Sequence, residues 1–587
     1  MKIFLSGNEA IAAGACEFGV SFAAGYPGTP STEILETVSK YPEIDSQWAV
    51  NEKVALDVAV GASLGGIRSL VAMKHVGLNV ASDTLMTLSY TGVNAGLIVI
   101  TVDDPNMSSS QNEQDNRNYA KFAKIPLLEP SDSQEAKDFV QLALRMSEGF
   151  DTPVLVRLTA RVAHSKSVVK INPKRREVSP KNPCDGNPAK YVMIPSNAKK
   201  RRIFVEQKLD KLRRFSNKTS VNRIEWGKKN FGIITSGISY QYAKEVCPDQ
   251  SILKFGMTYP LPAEKIKEFT KTLPLVYVIE ELDPFLQEQL GSMGIKSTGK
   301  EVFPSTGELN PDMIRRVLSK KDFQETISTS SKLPSRHPLL CAGCSYLGLF
   351  YILKKLDMIV LGDIGCYSLC ALPPLSSLHT CISMGSGIGI AQGYKKALKK
   401  SDQRKKVIAV IGDSTFIHSG ITPLIDLIYN KETVAVIILD NGGTAMTGCQ
   451  GHPGTGITLK NGKSPKISYE QLVKALGINR VVTVNSYNLK EVRRSIKKES
   501  TSRQPSVIIA KGPCLLADKG KKHDPFRIIS SRCIKCGECL QLSCPAIDVD
   551  GSQCSRIDEN LCTGCSLCQQ ICPAQAVEEI QVVQKSR

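Results

Sequence analysis

The chain has 587 residues, of which 42% are hydrophobic and 22% charged, and these proportions are typical of a globular protein and exclude a disordered or fibrous one. Its length predicts about four domains. The sequence holds no run of about 18 apolar residues and its polar N-terminus does not match a signal peptide, so we expect a cytoplasmic protein. In that compartment, nineteen cysteines indicate metal or redox chemistry rather than disulfide bonds.

The net charge of +19 is concentrated in one part of the chain. Most of the excess lies between Lys166 and Lys229. A basic charge of this size is a feature of nucleic-acid-binding proteins, but a local run is more simply explained by a solvated helix with loops. We therefore expect a connector and no nucleic-acid partner, and steeply salt-dependent DNA binding would be the sign of the alternative.

Residues 1–165 alternate apolar strands with helical segments, which predicts a parallel sheet covered on both faces. We expect a basic connector over residues 166–228 and a second α/β domain, with a structural or interface role, over residues 229–330. The strand candidates of this half are Ile3–Leu5, Leu70–Met73, Leu97–Val102, Pro153–Leu158, Phe231–Thr235 and Leu275–Ile279.

Two loops of the first domain carry many side chains that can bind a ligand. The Gly/Pro-rich turn over residues 25–33, GYPGTPSTE, contains Thr29 and opens a helix. The stretch from Asp103 to Arg117 follows an apolar strand and holds more hydrogen-bonding side chains than a structural loop needs. We therefore expect Ser109–Arg117 to bind a ligand.

The centre of residues 331–520 is a pair of apolar runs that each lead to polar residues. Val407–Ile411 ends just before Asp413, and Thr433–Leu439 ends just before Asn441. Because parallel strands end at one edge of a sheet, we expect the Asp413 and Asn441 side chains to lie together there. Their oxygens suit Mg²⁺, which completes its octahedron with phosphate oxygens and water.

The residues around this pair resemble the thiamine diphosphate (TPP) motif, in which GDG is followed by Asn some 26 residues later. Ser414 stands where the motif has its second Gly. The glycines near Gly443 allow the backbone to approach a diphosphate closely. An ordinary βαβ turn pair with acidic caps is the alternative interpretation.

A TPP enzyme also needs a carboxylate that hydrogen-bonds N1′ of the aminopyrimidine ring. Glu52 begins a helix of small residues after a strand, which is where such a group belongs. Plain pairing of a first-turn Glu with the helix dipole is the alternative interpretation.

Four cysteines in residues 331–520 have a spacing that could hold one [4Fe–4S] cluster. The spacing is loose, so buried free thiols are the alternative. These cysteines are Cys341, Cys344, Cys366 and Cys514.

Residues 525–587 carry the most specific pattern in the chain. Two CxxCxxC runs, each followed by a fourth Cys and a Pro, are typical of a ferredoxin domain with two [4Fe–4S] clusters, in which the fourth Cys of each run binds the other cluster. Zinc sites use paired CxxC instead, and we expect the extra thiol of Cys554 to be a spectator. The predicted ligands are Cys533, Cys536, Cys539 and Cys572 for one cluster and Cys544, Cys562, Cys565 and Cys568 for the other.

Together these motifs resemble the 2-oxoacid:ferredoxin oxidoreductases, and in detail the members of that family that act on aryl pyruvates such as indolepyruvate. The resemblance covers nearly the whole chain, with departures at Cys370, His379 and Cys449. The matching stretches are GYPGTPSTEI, WAVNEKVALDVAVGAS, MKHVGLNV, DDP…SSQNEQDNR, YVMIPSNAKK, LCAGC, GDIGCYSLCALPPL, GDSTF and TAMTG, together with the two-cluster tail.

The resemblance implies a multidomain α/β protein with TPP-binding parallel sheets and a ferredoxin-like α+β tail. It makes Glu52 the N1′ partner, with Thr29 and Arg117 as further catalytic residues. It also supports the proximal cluster of Cys341, Cys344, Cys366 and Cys514. The implied cofactor-binding residues are Gly412, Asp413, Ser414, Asn441, Gly443 and Thr444, with Asp413, Asn441 and the Gly443 carbonyl as Mg²⁺ ligands.

The implied reaction is the oxidative decarboxylation of an aryl pyruvate. TPP serves as the electron sink, the clusters carry electrons to an external ferredoxin, and coenzyme A takes the acyl group. A smaller beta subunit is the implied partner, in an α2β2 assembly, and TPP sites of this kind are often shared between two chains. The alternatives are pyruvate or another 2-oxoacid as substrate, a non-redox TPP decarboxylase, and a pure electron-transfer protein.

Overall fold

A computed structural model gives the fold of the chain, which divides into two compact units, residues 1–330 and residues 331–587. Within the described ranges, no helix is long and apolar enough to span a membrane. The structure describes residues 1–184, 187–319, 338–401, 406–517, 524–549 and 554–580.

Strands and helices alternate along the first unit. Its strands are β1 (Lys2–Ser6), β2 (Phe22–Gly25), β3 (Asp45–Trp48), β4 (Ser69–Lys74), β5 (Leu97–Asp103), β6 (Leu127–Leu128), β7 (Val154–Thr159), β8 (Lys166–Lys170), β9 (Arg223–Glu225), β10 (Lys228–Ser236), β11 (Gln250–Phe255), β12 (Met257–Tyr259) and β13 (Val276–Ile279). Its helices are α1 (Gly7–Glu17), α2 (Thr32–Val38), α3 (Glu52–Leu64), α4 (His75–Thr91), α5 (Arg117–Ala123), α6 (Ser133–Phe150), α7 (Ala160–His164), α8 (Pro188–Tyr191), α9 (Pro195–Lys218), α10 (Gly237–Val246), α11 (Ala263–Lys271), α12 (Phe285–Ser292) and α13 (Pro311–Ser319).

The main sheet of the first unit has the strand order β12-β6-β7-β5-β4-β2-β3, and only its edge strand β12 is antiparallel. Strands β4, β5 and β7 are buried at every residue, as expected for a parallel sheet with helices on both faces. The loops that follow β2, β3, β4 and β5 therefore meet at one edge of the sheet. That edge receives Thr29, Glu52, Lys74 and the stretch after Asp103.

The first strand does not join this sheet, so the prediction that Ile3–Leu5 belongs to it is wrong. Strand β1 pairs antiparallel with β8, with Lys2 opposite Lys170 and Ser6 opposite Lys166. Phe4 and Val168 are 62% and 58% exposed, so only one face of this ribbon is covered. One covered face is the usual arrangement of an antiparallel pair and rules out the fully buried environment of a parallel strand.

The boundary predicted at residue 229 does not separate the two sheets of the first unit. β9 precedes residue 229 but lies in the second sheet, whose order is β13-β10-β11-β9, and β12 follows residue 229 but lies in the main sheet. The basic helix α9 buries Val205, Leu209 and Leu212. Its Lys208 is buried too, and Nζ donates to the Ser89 carbonyl over 2.8 Å. This helix is thus packed along one face, while most of its basic side chains lie at the surface.

The second unit has the same alternation, followed by a small tail. Its strands are β14 (Ile359–Leu361), β15 (Val407–Gly412), β16 (Ala435–Asp440), β17 (Arg480–Asn485), β18 (Ser506–Lys511), β19 (Phe526–Ile528), β20 (Ile547–Val549), β21 (Ser555–Ile557) and β22 (Val577–Glu579). Its helices are α14 (Ser345–Lys355), α15 (Ser386–Ser401), α16 (Asp413–Thr415), α17 (Ile421–Tyr429), α18 (Tyr469–Ala475), α19 (Leu489–Glu499) and α20 (Leu567–Ile571).

The sheet of the second unit is entirely parallel, in the order β14-β15-β16-β18-β17. The tail has two antiparallel pairs, β19 with β22 and β20 with β21. Phe526, Leu542 and Leu567 of the tail share one hydrophobic core with Leu347 and Ile508, so the tail packs on this sheet layer. The predicted fold class, α/β with parallel sheets and an α+β tail, is confirmed.

Candidate functional site

Two buried polar residues meet at the carboxyl edge of the second unit's sheet. Strands β15 and β16 are parallel neighbours with Gly412 opposite Leu439, so Asp413 and Asn441 follow them on the same side. The Asp413 and Asn441 residues are only 3% and 7% exposed. Burial removes the Asp413 carboxylate and the Asn441 amide from water. Nearby hydrogen-bond donors or a bound cation must offset the cost of this desolvation.

Backbone and side-chain hydrogen bonds hold this pair in a compact loop. The Asp413 carboxylate accepts the Ser414 N–H over 2.8 Å and the Gly442 N–H over 3.0 Å. The Asn441 side chain accepts the Gly443 N–H over 3.2 Å. The predicted cofactor-binding residues also include Thr444, whose hydroxyl donates to the Ser414 hydroxyl over 3.0 Å, and Gly412 at the end of β15.

The environment of this loop fits a magnesium-bound diphosphate. His452 is a buried side chain whose Nε2 has no hydrogen-bond partner, and this atom lies 3.5 Å from Asp413 Oδ2. An unsatisfied buried polar atom beside a carboxylate indicates a missing ligand or water. Gly442 has a φ of +75°, and no atom lies within 4 Å of the position that a Cβ would occupy. A magnesium ion requires hard oxygen ligands, and a diphosphate requires open space and backbone that it can approach closely.

Two tyrosine hydroxyls hydrogen-bond to residues of this loop. The Tyr346 hydroxyl accepts the Asn441 side-chain N–H over 2.6 Å, and the Tyr367 hydroxyl accepts the Gly412 N–H over 3.1 Å. Burial raises the pKa of both phenols, so they stay neutral and keep their protons. The sequence prediction missed His452 and both tyrosines. The only signal for them is that Tyr367 and His452 lie in or close to stretches that resemble the family.

At least five thiols lie together near this loop. Burial raises the pKa of Cys344 to about 12, and the neighbouring Cys341, Cys366 and Cys514 each add to the rise. The fifth is Cys449, whose sulfur lies 3.4 Å from that of Cys514. The structure thus brings the four predicted proximal cysteines into one neighbourhood and adds a thiol that the sequence prediction did not assign.

The tail holds a second group of thiols around a small, mostly apolar pocket. Cys544, Cys562, Cys565 and Cys568 all line it, and they are the four predicted ligands of one tail cluster. In the described residues, no three His, Cys, Asp or Glu side chains converge on a single metal ion. A [4Fe–4S] cluster has four irons with one cysteine each, so its ligands surround a space rather than a point.

The structure brings together three of the four predicted ligands of the other tail cluster. Burial raises the pKa of Cys539, with Cys536 and Cys533 adding to the rise, so these three thiols are neighbours. The sulfur of Cys572 accepts the Ala576 N–H over 3.3 Å, and its place as the fourth ligand stays a prediction. Cys554 is buried at 3% exposure.

In the first unit, Glu52 begins α3 at the carboxyl edge of the main sheet and is 5% exposed. The Asn51 side chain caps this helix by accepting the Val54 N–H over 2.9 Å. Helix α4 passes so close that a Cβ at Gly77 would lie 2.6 Å from Glu52 Oε1. Only glycine fits there without displacing the carboxylate, so the neighbouring helix fixes the position of Glu52.

The loops after β2, β4 and β5 are joined through one residue. The Ser109 hydroxyl donates to the Thr29 carbonyl over 3.3 Å, and the Ser109 N–H donates to Asp104 Oδ2 over 2.8 Å. The Lys74 ammonium donates to the Ser109 carbonyl over 2.7 Å. Thr29 and the start of the polar loop therefore lie at the same sheet edge as Lys74.

Arg117 has a different place from the one expected of a catalytic residue. It is 1% exposed, with Nη1 donating to Glu280 over 2.7 Å and Nε donating to Asp115 over 2.9 Å. Its Nη2 donates to the Glu281 and Asp283 carbonyls. A buried guanidinium needs such partners to offset its desolvation. With these donors engaged, Arg117 ties the polar loop to the segment after β13, and its geometry opposes direct catalysis.

Glu281 beside this network makes stability depend on pH. Burial raises its pKa from an ordinary 4.5 to about 7, although the Leu309 N–H donates to its carboxylate. The folded state then binds this proton more tightly than the unfolded state, so stability is lost as pH rises from about 4.5 to about 7. We expect Glu281→Gln to raise the stability at pH 8 by about 1–3 kcal/mol and to have little effect at pH 4.5.

Thermal unfolding of the intact chain at both pH values measures this difference. Glu268→Gln, on the exposed face of α11, is the matched control and should shift neither transition. Equal shifts of the Glu281→Gln transition at pH 4.5 and pH 8 would contradict the assignment.

Three family models match the chain. Residues 13–217 match the thiamine-diphosphate-binding region of pyruvate flavodoxin/ferredoxin oxidoreductases. Residues 363–510 match the C-terminal TPP-binding domain of thiamine pyrophosphate enzymes, and residues 555–578 match a 4Fe-4S binding domain. These matches fall on the segments of Glu52, of Asp413 and of the cysteine tail, and they make TPP and [4Fe–4S] clusters the cofactors of this chain.

Two curated relatives align with nearly the whole chain, and a third aligns with a part of it. The indolepyruvate oxidoreductase subunit IorA of Methanothermobacter marburgensis is 38% identical over 98% of this chain and 97% of its own length. The IorA subunit of Pyrococcus horikoshii is 37% identical over 99% and 97%. The 2-oxoglutarate synthase subunit KorA of Methanocaldococcus jannaschii is 29% identical over 31% of this chain and 53% of its own length.

Proposed function

The chain belongs to the IorA family of indolepyruvate oxidoreductase subunits, and from this premise we propose that it converts aryl pyruvates, indolepyruvate among them, to acyl-CoA and CO₂. The general reaction, TPP-dependent oxidation of a 2-oxoacid with transfer of electrons to ferredoxin, follows from the family and its domains. The aryl side chain and coenzyme A as acyl acceptor are the specific parts of the proposal.

One contact supports the redox reaction over simple decarboxylation. The Cys514 N–H donates to the Asn441 carbonyl over 2.9 Å, so a predicted cluster ligand is joined to a predicted Mg²⁺ ligand. A decarboxylase without electron transfer has no need of thiols beside its cofactor loop. In this arrangement, electrons that leave the cofactor have an acceptor within the same unit.

Each half-site has its own task. When bound, TPP supplies the electron-withdrawing ring that allows CO₂ to leave. Asp413, Asn441 and the Gly443 carbonyl hold Mg²⁺ and, through it, the diphosphate. Glu52 holds or releases a proton at N1′ of the aminopyrimidine, and Gly77 keeps its carboxylate in place. Conversion of the 2-oxoacid and the CoA thiol to acyl-CoA and CO₂ releases one proton and two electrons. Cys341, Cys344, Cys366 and Cys514 would hold the cluster that supplies the nearest acceptor for those electrons.

The remaining predicted residues line or support the site. Thr29 lies beside Ser109 at the sheet edge and would face the substrate through its loop. Arg117 is a positioning residue that fixes the end of the polar loop against the Glu280 carboxylate.

The proposed partners are a smaller beta subunit and an external ferredoxin. The relatives are named as subunits, which supports an assembly with a second kind of chain, and we propose α2β2. The tail clusters are the exit for electrons to ferredoxin. Full CoA-dependent turnover by this chain alone would contradict the need for a beta subunit.

The test of the function is anaerobic co-expression with the beta subunit, followed by dye reduction with indolepyruvate, phenylpyruvate, pyruvate and 2-oxoglutarate in the presence of CoA. We expect the aryl acids to have the highest kcat/KM. Preference for pyruvate or 2-oxoglutarate would overturn the proposed substrate class. Release of CO₂ and aldehyde without dye reduction would instead indicate a non-redox decarboxylase.

The proximal cluster can be tested through two adjacent thiols. We expect Cys514→Ser to lower the iron content by about four atoms per chain, because one cysteine binds each cluster iron. Cys449→Ser should leave the iron content unchanged. Iron analysis and electron paramagnetic resonance of the reduced protein measure both variants. The reverse result, with iron lost only in Cys449→Ser, would make Cys449 the ligand in place of Cys514.

A further inference from the structure

Lys74 and His75 lie beside Glu52 at the carboxyl edge of the main sheet. Lys74 is the last residue of β4 and His75 the first of α4. Gly77, in the same first turn of α4, is the residue whose Cβ would contact the Glu52 carboxylate. The side chains that begin this helix are therefore next to the group that we propose to act on the TPP ring.

Lys74 is a buried cation that forms no direct ion pair with the described carboxylates, although Asp104 lies near enough to favour its charged form. It is 8% exposed, and its ammonium donates to the Ser109 carbonyl over 2.7 Å and approaches the Ser109 hydroxyl at 3.5 Å. Within the described part of the chain it forms no ion pair, and the nearby Asp104 carboxylate is engaged by the Ser109 and Ser110 hydroxyls.

This arrangement leaves binding capacity at the ammonium. A lysine ammonium has three donors, of which Ser109 takes at most two. Burial lowers the pKa of Lys74 to about 8, and the nearby Asp104 carboxylate offsets only part of that cost. An anion placed against the spare donor would recover that cost.

His75 provides an independent sign of a missing ligand. The residue is fully buried, and its Nε2 lies 3.3 Å from the Asn112 side-chain oxygen. Its Nδ1 has no hydrogen-bond partner. Buried polar atoms are nearly always satisfied in folded proteins, so an unsatisfied ring nitrogen in the residue after Lys74, whose ammonium has a spare donor, indicates a polar ligand or ordered water.

We propose that Lys74 binds the carboxylate of the 2-oxoacid substrate and thereby places its keto carbon toward the cofactor ring. The inference rests on the proposed function. Because the carboxylate leaves as neutral CO₂, the contact is strongest before the reaction and weakens during it. Lys74 therefore contributes to substrate binding and selection more than to the chemical step.

The test uses the co-expressed complex with Lys74→Met, which removes the charge at similar length, and Lys74→Arg, which keeps it. A buried charged hydrogen bond is worth about 1.5–3 kcal/mol, so Lys74→Met should raise KM for the aryl pyruvate about 10- to 100-fold while kcat changes much less. The preference for the free acid over its methyl ester should fall by the same factor. Lys74→Arg should keep most of that preference, and Lys121→Met, on the exposed face of α5, is the matched control.

A binding measurement makes the test independent of turnover. The wild-type complex should bind 3-phenylpropionate, an unreactive aryl carboxylate, and Lys74→Met should bind it at least tenfold more weakly at unchanged TPP content. If the complex oxidises no 2-oxoacid but shows this loss, the proposed function fails and the carboxylate site stands. Unchanged 3-phenylpropionate affinity, or an unchanged acid-to-ester ratio, would overturn the inference. Lys74→Gln repeats both measurements if Lys74→Met does not fold.

Discussion

Glu52→Gln is expected to lower the rate of 2-oxoacid-dependent ferredoxin reduction about 10²- to 10⁴-fold, which is the usual contribution of a positioned acid–base group. The amide keeps the size of the side chain, so its packing against Gly77 is preserved. It cannot exchange a proton with N1′ as a carboxylate does. Stopped-flow reduction of ferredoxin by the co-expressed complex measures the effect.

Bound TPP separates the chemical role of Glu52 from a role in binding. We expect the Glu52→Gln complex to retain its TPP, because we propose that Asp413 and Asn441, and not Glu52, hold the diphosphate through Mg²⁺. Glu43→Gln, at an exposed position before β3, is the control and should behave as wild type. An activity within threefold of wild type at full TPP content would show that Glu52 is not the N1′ partner.

Asp413→Asn is expected to weaken Mg²⁺-dependent TPP binding about 10- to 150-fold, the range for loss of a charge-assisted contact. Asp413 is buried and its carboxylate accepts two backbone N–H groups, so the loss of charge also loosens the loop. Calorimetric titration with TPP at fixed Mg²⁺ measures the affinity. Asp426→Asn, exposed on α17, is the control. Unchanged affinity in Asp413→Asn would remove this residue from the metal site.

Mixing the Glu52→Ala and Asp413→Ala proteins tests whether one TPP site uses two copies of the chain. If it does, a hybrid dimer has one intact site and one doubly altered site. Random pairing makes half of the dimers hybrids, so about a quarter of the wild-type activity should return. Recovery is the result that we expect after co-refolding or co-expression, and no recovery would place both residues in one copy.

The strand predictions succeeded where burial alone determines structure. Val407–Ile411 and Leu97–Val102 are continuous apolar runs, and both are fully buried parallel strands. Ile3–Leu5 is a strand as predicted, but its place in the parallel sheet was wrong because its partner β8 lies some 160 residues later in a basic segment, and no local pattern identifies such a partner. The register of a pair is set by tertiary contacts that a short window of sequence does not contain.

The site predictions show the same division. Asp413 and Asn441 could be predicted because each follows a strand, and strand ends meet at one edge. The surroundings of Arg117 could not be predicted, because its partner Glu280 is 163 residues away in the sequence. Lys74 and His452 were missed because a single basic residue can have many roles in a sequence. Their unmet hydrogen-bonding capacity, which marks them as candidate ligand-binding residues, is visible only in the structure.

The ribbon of β1 and β8 has a consequence for folding during synthesis on the ribosome. Residues 2–6 are synthesised some 160 residues before their partner strand, which follows strands β2–β7 of the main sheet. Until then, β1 presents an open edge with the exposed Phe4. Its pairing therefore cannot form before residue 170 has been synthesised, when strands β9–β13 of the first unit are still to be made.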